Sequence, residues 1–452
     1  MSTIIDLFVA DARAVSFADA CDRLKVPKPK KGKPEHEGPC PRCGGNDRFA
    51  VNRGKGVWNC RGCGAGGRDG IGLAAHMHQL DLGRRAEFLE ACSIALDQAI
   101  PKEDECETDE EKAAREARIA ASKAKAEADR LENQRKQNDF RQLEINRARG
   151  LWLNAVDCRL DNPVAQTGKH LISAYVKART GFEPLESVFQ NIRFIPSATY
   201  WHGTDEMGRP FPLYVGPALV APFVDRDHHI VGSQTIWIDL DVVPKRRPML
   251  FGVTKVGREA GFGERSQGKQ TGIKPEWIEA GFYEPLSSKK MRGAKKGGVM
   301  PIAGNPYSAR WMGGEGIETT WAIAAPDGCR DDTFYFAAGD IGNMAGPADP
   351  KSAFDHTTLR KEDSAGRLRK VKVQGPIPKP DSEGEAIWIP DHVIDLILLA
   401  DGDSEPVATA SAMARAVARH GREGREVMPL WPPEGTDFAD AIASVLEGAA
   451  YA

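Results

Sequence analysis

The chain has 452 residues, of which 41% are hydrophobic and 28% charged, and its formal net charge is −3. That length predicts two to three domains with cores of their own, and the near-balanced charge excludes a globally basic, polyanion-binding protein, so any nucleic-acid surface must be local. No apolar run reaches the roughly 18 residues a membrane helix needs, and residues 1–20 lack the uninterrupted apolar stretch of a secretory signal.

In chain order, residues 1–20 read as a short amphipathic helix. Residues 22–68 carry twelve Lys/Arg against four Asp/Glu and surround two cysteine pairs, Cys40-Pro41-Arg42-Cys43 and Cys60-Arg61-Gly62-Cys63, with sixteen residues between them. Each pair sets two thiolates on one tight knuckle, and a hairpin between them brings four thiolates into a tetrahedron, which predicts a structural Zn²⁺ site of Cys40, Cys43, Cys60 and Cys63. Gly44, Gly45, Gly62 and Gly64 relieve the crowded turns. The other cysteines, Cys21, Cys92, Cys106, Cys158 and Cys329, show no pairing, so the odd total of nine fits metal usage in a reducing, cytoplasmic compartment. Arg48 beside Phe49, and Trp58 beside the second knuckle, suit stacking on unpaired bases with a cation on the phosphates. The same two rings would equally make the ribbon's own small core.

A helical segment follows over about 71–99. Residues 108–149 are rich in Ala, Glu, Lys, Arg and Gln with neither Pro nor Gly, which predicts an exposed helix or partly helical linker. From Leu151 the chain turns globular, with a strand pair at 217–224 and 230–238 joined by an Asp-Arg-Asp-His-His turn. Residues 241–300 hold thirteen Lys/Arg against six Asp/Glu and read as glycine-rich loop. Lys245, Arg246, Arg247, Lys289, Lys290, Arg292 and Lys295 are the candidates there for holding nucleic acid and nucleotide phosphates. Gly263 to Gln270 has P-loop spacing, but Gln270 stands where Ser or Thr must bind Mg²⁺ and no strand precedes it, so no nucleotide-hydrolysing motor is expected.

The last third alternates strands near 309–314, 333–338, 395–400 and 426–430 with helices near 317–325, 405–420 and 437–447. That pattern predicts a parallel sheet, interrupted at 341–390 by a surface excursion. Glu315 follows the first strand, and Asp401-Gly402-Asp403 follows the third. The crevice beyond strand C-termini is where ligands bind in open α/β sheets, and carboxylates converging there call for a divalent cation.

Glu315-Gly316 together with Asp401-Gly402-Asp403 resembles the signature of the Toprim domain, the Mg²⁺-dependent module of primases and topoisomerases. Cys60 to Gly67 is similar to the second knuckle of primase zinc ribbons. The first knuckle departs from the cellular bacterial type, where one ligand is His, and is closer to phage and plasmid forms. The resemblance implies that Glu315, Asp401 and Asp403 hold Mg²⁺ or Mn²⁺ and that Asp437, in Pro433-Glu434-Gly435-Thr436-Asp437-Phe438-Ala439-Asp440, adds a further catalytic carboxylate, with Asp440 behind it. One departure stands out: bacterial primases have Asp four residues after the motif Glu, and here Thr319 occupies that place, with Glu318 a candidate substitute.

The expected architecture is multidomain: a zinc-ribbon template-binding module (small β, 1–100), a charged helical linker (101–150), an α+β basic primase-core subdomain (151–300) and a C-terminal α/β Toprim catalytic domain with a Rossmann-like parallel sheet (301–452). The implied function is a mobile-element DNA primase. It would make short RNA primers from ribonucleoside triphosphates on single-stranded DNA, with a replicative helicase in trans. The same carboxylates would serve a Toprim nuclease. A catalytically silent DNA-binding, helicase-recruiting protein is the alternative that Thr319 favours.

Overall fold

The computed structural model describes residues 4–29, 35–102, 109–205, 207–268, 272–362 and 368–450; Cys106 and Lys269-Gln270 of the P-loop-like segment lie outside them. Two compact units emerge: Met1–Asn138 with Thr357–Val371, and Asp139–His356 with Lys372–Ala452.

In the first unit the expected N-terminal helix is two. Ser16 interrupts it, its hydroxyl accepting the Asp19 N–H at 3.1 Å, and so separates α1 (Ile4–Ala14) from α2 (Phe17–Arg23). The ribbon is an antiparallel sheet of β1 (His36–Cys40), β2 (Gly44–Asn52), β3 (Val57–Cys60) and β4 (Ala65–Gly67), paired in sequence order. The helical segment after it breaks at Gln79, left-handed at φ 61°, into α3 (Gly70–His78) and α4 (Arg85–Leu96). These helices close over the ribbon through Phe8, Cys21, Leu24, Val51, Leu73 and Cys92. This small unit therefore has an apolar core besides its metal site. The charged segment is one 46-residue helix, α5 (Asp109–Asn154), on which Arg118 pairs with Asp11 at 3.4 Å and Lys125 with Asp19 at 3.2 Å.

The second unit starts with α6 (Pro163–Thr180) and an antiparallel sheet of β5 (Arg193–Thr204), β6 (Pro210–Val224) and β7 (Ile230–Trp237). Residues 241–300 are more ordered than the expected loop. They form β8 (Leu250–Val253), α7 (Lys255–Glu259), α8 (Pro275–Glu279), β9 (Tyr283–Leu286) and β10 (Lys289–Gly293), with β8 pairing β9 and β10 extending the sheet beside β7. Glycine and lysine content hid β10, because its pairing partner lies more than 50 residues away in sequence. The P-loop-like segment is a connection between α7 and α8, tied down by the Gln267 amide on the Phe251 backbone at 3.0 and 2.6 Å.

The remaining elements are β11 (Met300–Ala303), β12 (Arg310–Gly314), α9 (Ile317–Ala324), β13 (Thr333–Ala337), α10 (Ile341–Ala345), a ribbon of β14 (Phe354–Glu362) and β15 (Leu368–Val373), β16 (Asp395–Leu399), α11 (Pro406–His420), β17 (Glu426–Leu430) and α12 (Phe438–Ala450). They build a five-stranded sheet, β11-β13-β12-β16-β17, parallel except for β11. Its strands are apolar on both faces because helices cover both. Met312, Tyr335 and Ile397 point into one core, and Trp311, Phe334, Phe336, Leu396 and Leu398 into the other. Part of the expected surface excursion is interior as well: Met344, Ala345, Ala386 and Ile387 are buried.

The first of these cores also takes Ile172, Tyr175, Phe189, Phe194, Leu219, Phe223 and Ile236 from the α6–β7 region. The boundary expected at 300/301 therefore runs through one continuous apolar core. Phe223→Ala is expected to cost about 3–5 kcal/mol and to shift the unfolding of both sheets together in urea, followed by tryptophan fluorescence and far-UV circular dichroism. Separate transitions for the two sheets would contradict a shared core.

Candidate functional site

In the ribbon, β1 ends at Cys40 and β3 at Cys60, and the turn after each carries Cys43 and Cys63. The Cys40 and Cys63 sulfurs lie 3.8 Å apart and those of Cys43 and Cys60 3.5 Å. These are the edge lengths of a tetrahedron around an ion with metal–sulfur bonds of about 2.3 Å. Room for the first knuckle comes from Gly62: a Cβ there would stand 2.7 Å from the Cys43 sulfur. Burial alone would raise the Cys60 thiol, but the Cys63 N–H and the surrounding sulfurs bring it down to about 7. Burial and then those same neighbours push Cys63 up to about 12. Four thiols so crowded cannot all ionise without a cation among them, and the donor set fits Zn²⁺.

At the other site, β12 and β16 are adjacent parallel strands; Glu315 follows the last residue of β12, and Asp401 comes two residues after the end of β16, past Ala400. Thr320 holds the Glu315 turn closed, its hydroxyl donating to the Phe336 carbonyl at 2.9 Å and accepting the Gly314 N–H at 3.2 Å. Glu405 caps α11 through the Val407 and Ala408 N–H groups, which confines Asp401–Asp403 to a short loop. Gly402 lets the following loop close over it: its carbonyl accepts the Gly435 N–H at 2.9 Å, and a Cβ on Gly402 would stand 2.5 Å from the Thr436 carbonyl oxygen.

Burial, then a hydrogen bond with Asp403 and the charges of Asp403 and Glu315, push the Asp401 carboxyl up to about 7. Glu315 is raised too, first by burial and then by Asp403, against the opposing pull of Lys289 and Lys295. The three carboxylates nonetheless do not converge as tightly as the ribbon donors. Among the described residues, three or more donor groups come within 4.8 Å of one another only in the ribbon and in the β6–β7 turn at Asp225, Asp227 and His229. In that turn Asp225 is occupied in accepting the Asp227 and His229 N–H groups.

Glu318, the candidate stand-in for the acidic residue missing at Thr319, does not join the carboxylates. It is buried, bonded to the Lys289 ammonium at 2.7 Å and the Tyr175 hydroxyl at 2.7 Å, with the Arg247 guanidinium at 4.0 Å. Burial alone would raise it, but Lys289 and Arg247 hold it well below the usual carboxylate range. Its side chain leaves the first turn of α9 toward the core, because helical spacing turns position 318 away from the strand tip that presents Glu315.

The basic run splits by strand period. Lys289 points to Glu318, whereas Lys290 and Arg292, on the opposite face of β10, line a groove of about 700 Å³ with Arg147, Trp201, Thr235 and Trp237. Lys290 lies over the Tyr200 ring at 4.1 Å and bonds the Trp201 carbonyl. Lys295 pairs with Asp340, which follows β13 at the same sheet edge and caps α10; its place two residues after the strand expected at 333–338 was the available signal. Lys245 is exposed, and Arg246 bonds the Leu240 carbonyl at 2.8 Å.

Two further expectations need correction. Trp58 is no open stacking platform: Phe49 and Trp58 are 3% and 5% exposed and belong to the core that the ribbon shares with the helices packed on it, Leu24, Val51 and Leu73 among its members. Arg48 remains exposed. Asp437, expected as a further catalytic carboxylate, caps α12 through the Asp440 N–H at 2.7 Å and, with Asp440, faces the buried Arg179 at 3.9 and 3.6 Å.

Residues 35–71 match a family model described as the zinc-binding domain of primase-helicase. The chain is also similar to the crystal structure of the zinc-binding and RNA polymerase domains of the Aquifex aeolicus primase, at 15% identity and a TM-score of 0.30, covering 100% of this chain and 84% of that one. No curated protein matches the chain. The match over 35–71 and the sulfur geometry make this segment a primase-type zinc ribbon. Among the described residues no helix is long and apolar enough to cross a membrane.

Two outcomes follow from the carboxylates. Asp401 keeps its proton to about pH 7 when folded but only to about pH 4 when unfolded. The metal-free folded state thus holds the extra proton across that window, and its stability falls as pH rises through it. Asp401→Asn is expected to flatten the slope of melting temperature against pH between these limits in chelator; an unchanged slope would show that Asp401 does not cause it. Glu318→Gln leaves Lys289 and Arg247 without their buried counter-charge and is expected to cost about 3–5 kcal/mol by urea denaturation.

Proposed function

We propose that this protein is a Toprim-type DNA primase of a phage, plasmid or integrated element, making short RNA primers on single-stranded DNA. The observation that carries the proposal is the approach of Glu315, Asp401 and Asp403 at the ends of two adjacent parallel strands, with Lys289 and Lys295 close enough to oppose the charge of Glu315. A primase-type ribbon in the same chain supports it.

The donor set suits a hard divalent ion. One close carboxylate pair, Asp401 and Asp403, with Glu315 standing further off, matches an ion such as Mg²⁺ or Mn²⁺ that keeps several waters and takes its other oxygens from substrate phosphates. When bound, the ion would neutralise the nucleoside triphosphate and lower the pKa of the attacking 3′-hydroxyl. The protein's own groups supply the rest. Asp401 must give up its proton before it can ligate. Lys289, held in one orientation by Glu318, and Lys295, held by Asp340, offer positive charge to phosphate oxygens beside the carboxylates. Arg292, Lys290 and Arg147 give the groove on the far face of β10 a cationic wall, and the half-exposed Trp201 gives it a ring on which a base can stack. Asp437 serves in this scheme by anchoring α12 against Arg179. The four-part division of roles follows: 1–100 grips template, 101–150 links, 151–300 holds template and nucleotide, and 301–452 carries the metals. A cytoplasmic replicative helicase acts in trans.

The test is primer synthesis on a pool of single-stranded templates with labelled ribonucleotides and Mg²⁺ or Mn²⁺. Wild type is expected to make short products, and Asp401→Ala/Asp403→Ala to lose at least about a hundredfold in rate, since removal of electrostatic groups at the reacting centre costs that much or more. Shortened template lost in the double variant would instead mean a nuclease. Intact, bound template with no product would mean a recruitment protein.

A further inference from the structure

Five donor side chains, not four, surround the metal centre of the ribbon. His76, on the last turn of α3, brings its Nε2 to 3.2 Å from the Cys40 sulfur. Its donor atom and those of Cys40, Cys60 and Cys63 all lie within 4.8 Å of one another, a set that does not include Cys43. The imidazole is 4% exposed. Its ring stacks on Phe49 at 5.7 Å with 15° between planes and meets Trp58 at 4.7 Å, so packing holds the nitrogen toward the sulfurs. Asp69 begins α3 two residues after β4, accepting the Gly72 N–H at 2.6 Å, which sets the helix register that delivers His76.

We propose that His76 is a second ligand built into this centre, able to take the place of Cys43. The ribbon then has two complete donor sets, Cys40/Cys43/Cys60/Cys63 and Cys40/Cys60/Cys63/His76. Cys43 is the member that leaves, since the other three thiols already form a close set with the imidazole. In the exchange the bond from the Cys43 sulfur to Zn²⁺ breaks and a bond from His76 Nε2 forms. The imidazole ligates as the neutral tautomer with its proton on Nδ1, and the released thiolate takes a proton from water. The centre loses one negative charge, which favours a neighbouring phosphate backbone. Both sets are tetrahedral combinations of cysteine and histidine that zinc accepts.

The experiment uses the full-length chain and its C43S, H76F, C43S/H76F and C60S variants. Zinc content is read by native mass spectrometry and the donor set by the absorption of the Co²⁺-substituted protein. C43S is expected to keep one metal per chain, its thiolate-to-cobalt band weakened from the four-thiolate to the three-thiolate level and its d–d bands moved to higher energy. C43S/H76F is expected to bind at least about tenfold more weakly than C43S, and C60S, which breaks both sets, to lose metal likewise. H76F alone is expected to keep the wild-type four-thiolate spectrum. The proposal is overturned if C43S loses metal as readily as C60S, or if C43S/H76F binds as tightly as C43S. Loss of metal from H76F alone would also overturn it, by making His76 a support of the four-cysteine site.

Discussion

Like charges brought together at the end of a parallel sheet are the constraint around which the second unit is arranged. Adjacent strands β12 and β16 run the same way, so the turns after them emerge side by side, and those turns carry Glu315 and Asp401. Burial first, then the hydrogen bond and charge of Asp403 and the charge of Glu315, keep a proton on Asp401 to about pH 7. Everything near them limits that cost. Thr320 and the α11 cap hold the two turns in place, Gly402 admits the next loop, and Lys289, on β10 of the antiparallel sheet, and Lys295, in the loop after it, supply counter-charge.

That counter-charge depends on a second buried balance. Lys289 is oriented by Glu318, which is itself satisfied by Tyr175 and faces Arg247. Tyr175 comes from α6, Arg247 from the segment before β8, Lys289 from β10 and Glu318 from α9. A buried carboxylate is tolerable only when its oxygens are bonded and its charge is matched, so this network ties the antiparallel sheet to the parallel one as firmly as their shared apolar core does. The pleat of β10 then gives one short basic run two roles: alternate residues go to the carboxylate side and to the groove lined by Trp201 and Trp237.

The ribbon reaches stability by another route. Its strands are too short to make a core without help, so Phe49 and Trp58 turn inward, and α3 brings His76 between them and the sulfurs. A metal centre surrounded in this way is bound to its protein shell by both packing and coordination.

Much of this was legible in the sequence. The cysteine spacing specified the ribbon because four ligands on two knuckles leave one closure. The apolar runs ending in Glu315 and Asp401 specified parallel strands and their tips because a strand buried on both faces must be apolar throughout. Composition alone pointed to a helix or partly helical linker over 108–149, though not to its continuing through Gly150 to Asn154. Other features depended on contacts between residues far apart in the chain. Position 318 reads as a spare acid beside Glu315 until helical geometry turns it inward to meet Lys289 and Tyr175. Lys289 to Gly293 reads as loop until β7 is found to pair with it. Phe49 and Trp58 read either as stacking rings or as core until burial decides for the core, and only the fold sets His76 against Cys40. Local pattern determined which elements form and which chemistry they carry; only tertiary packing decided which charged and aromatic groups are free to act and which are used in holding the structure, because burial and pairing are set by neighbours that the local sequence does not contain.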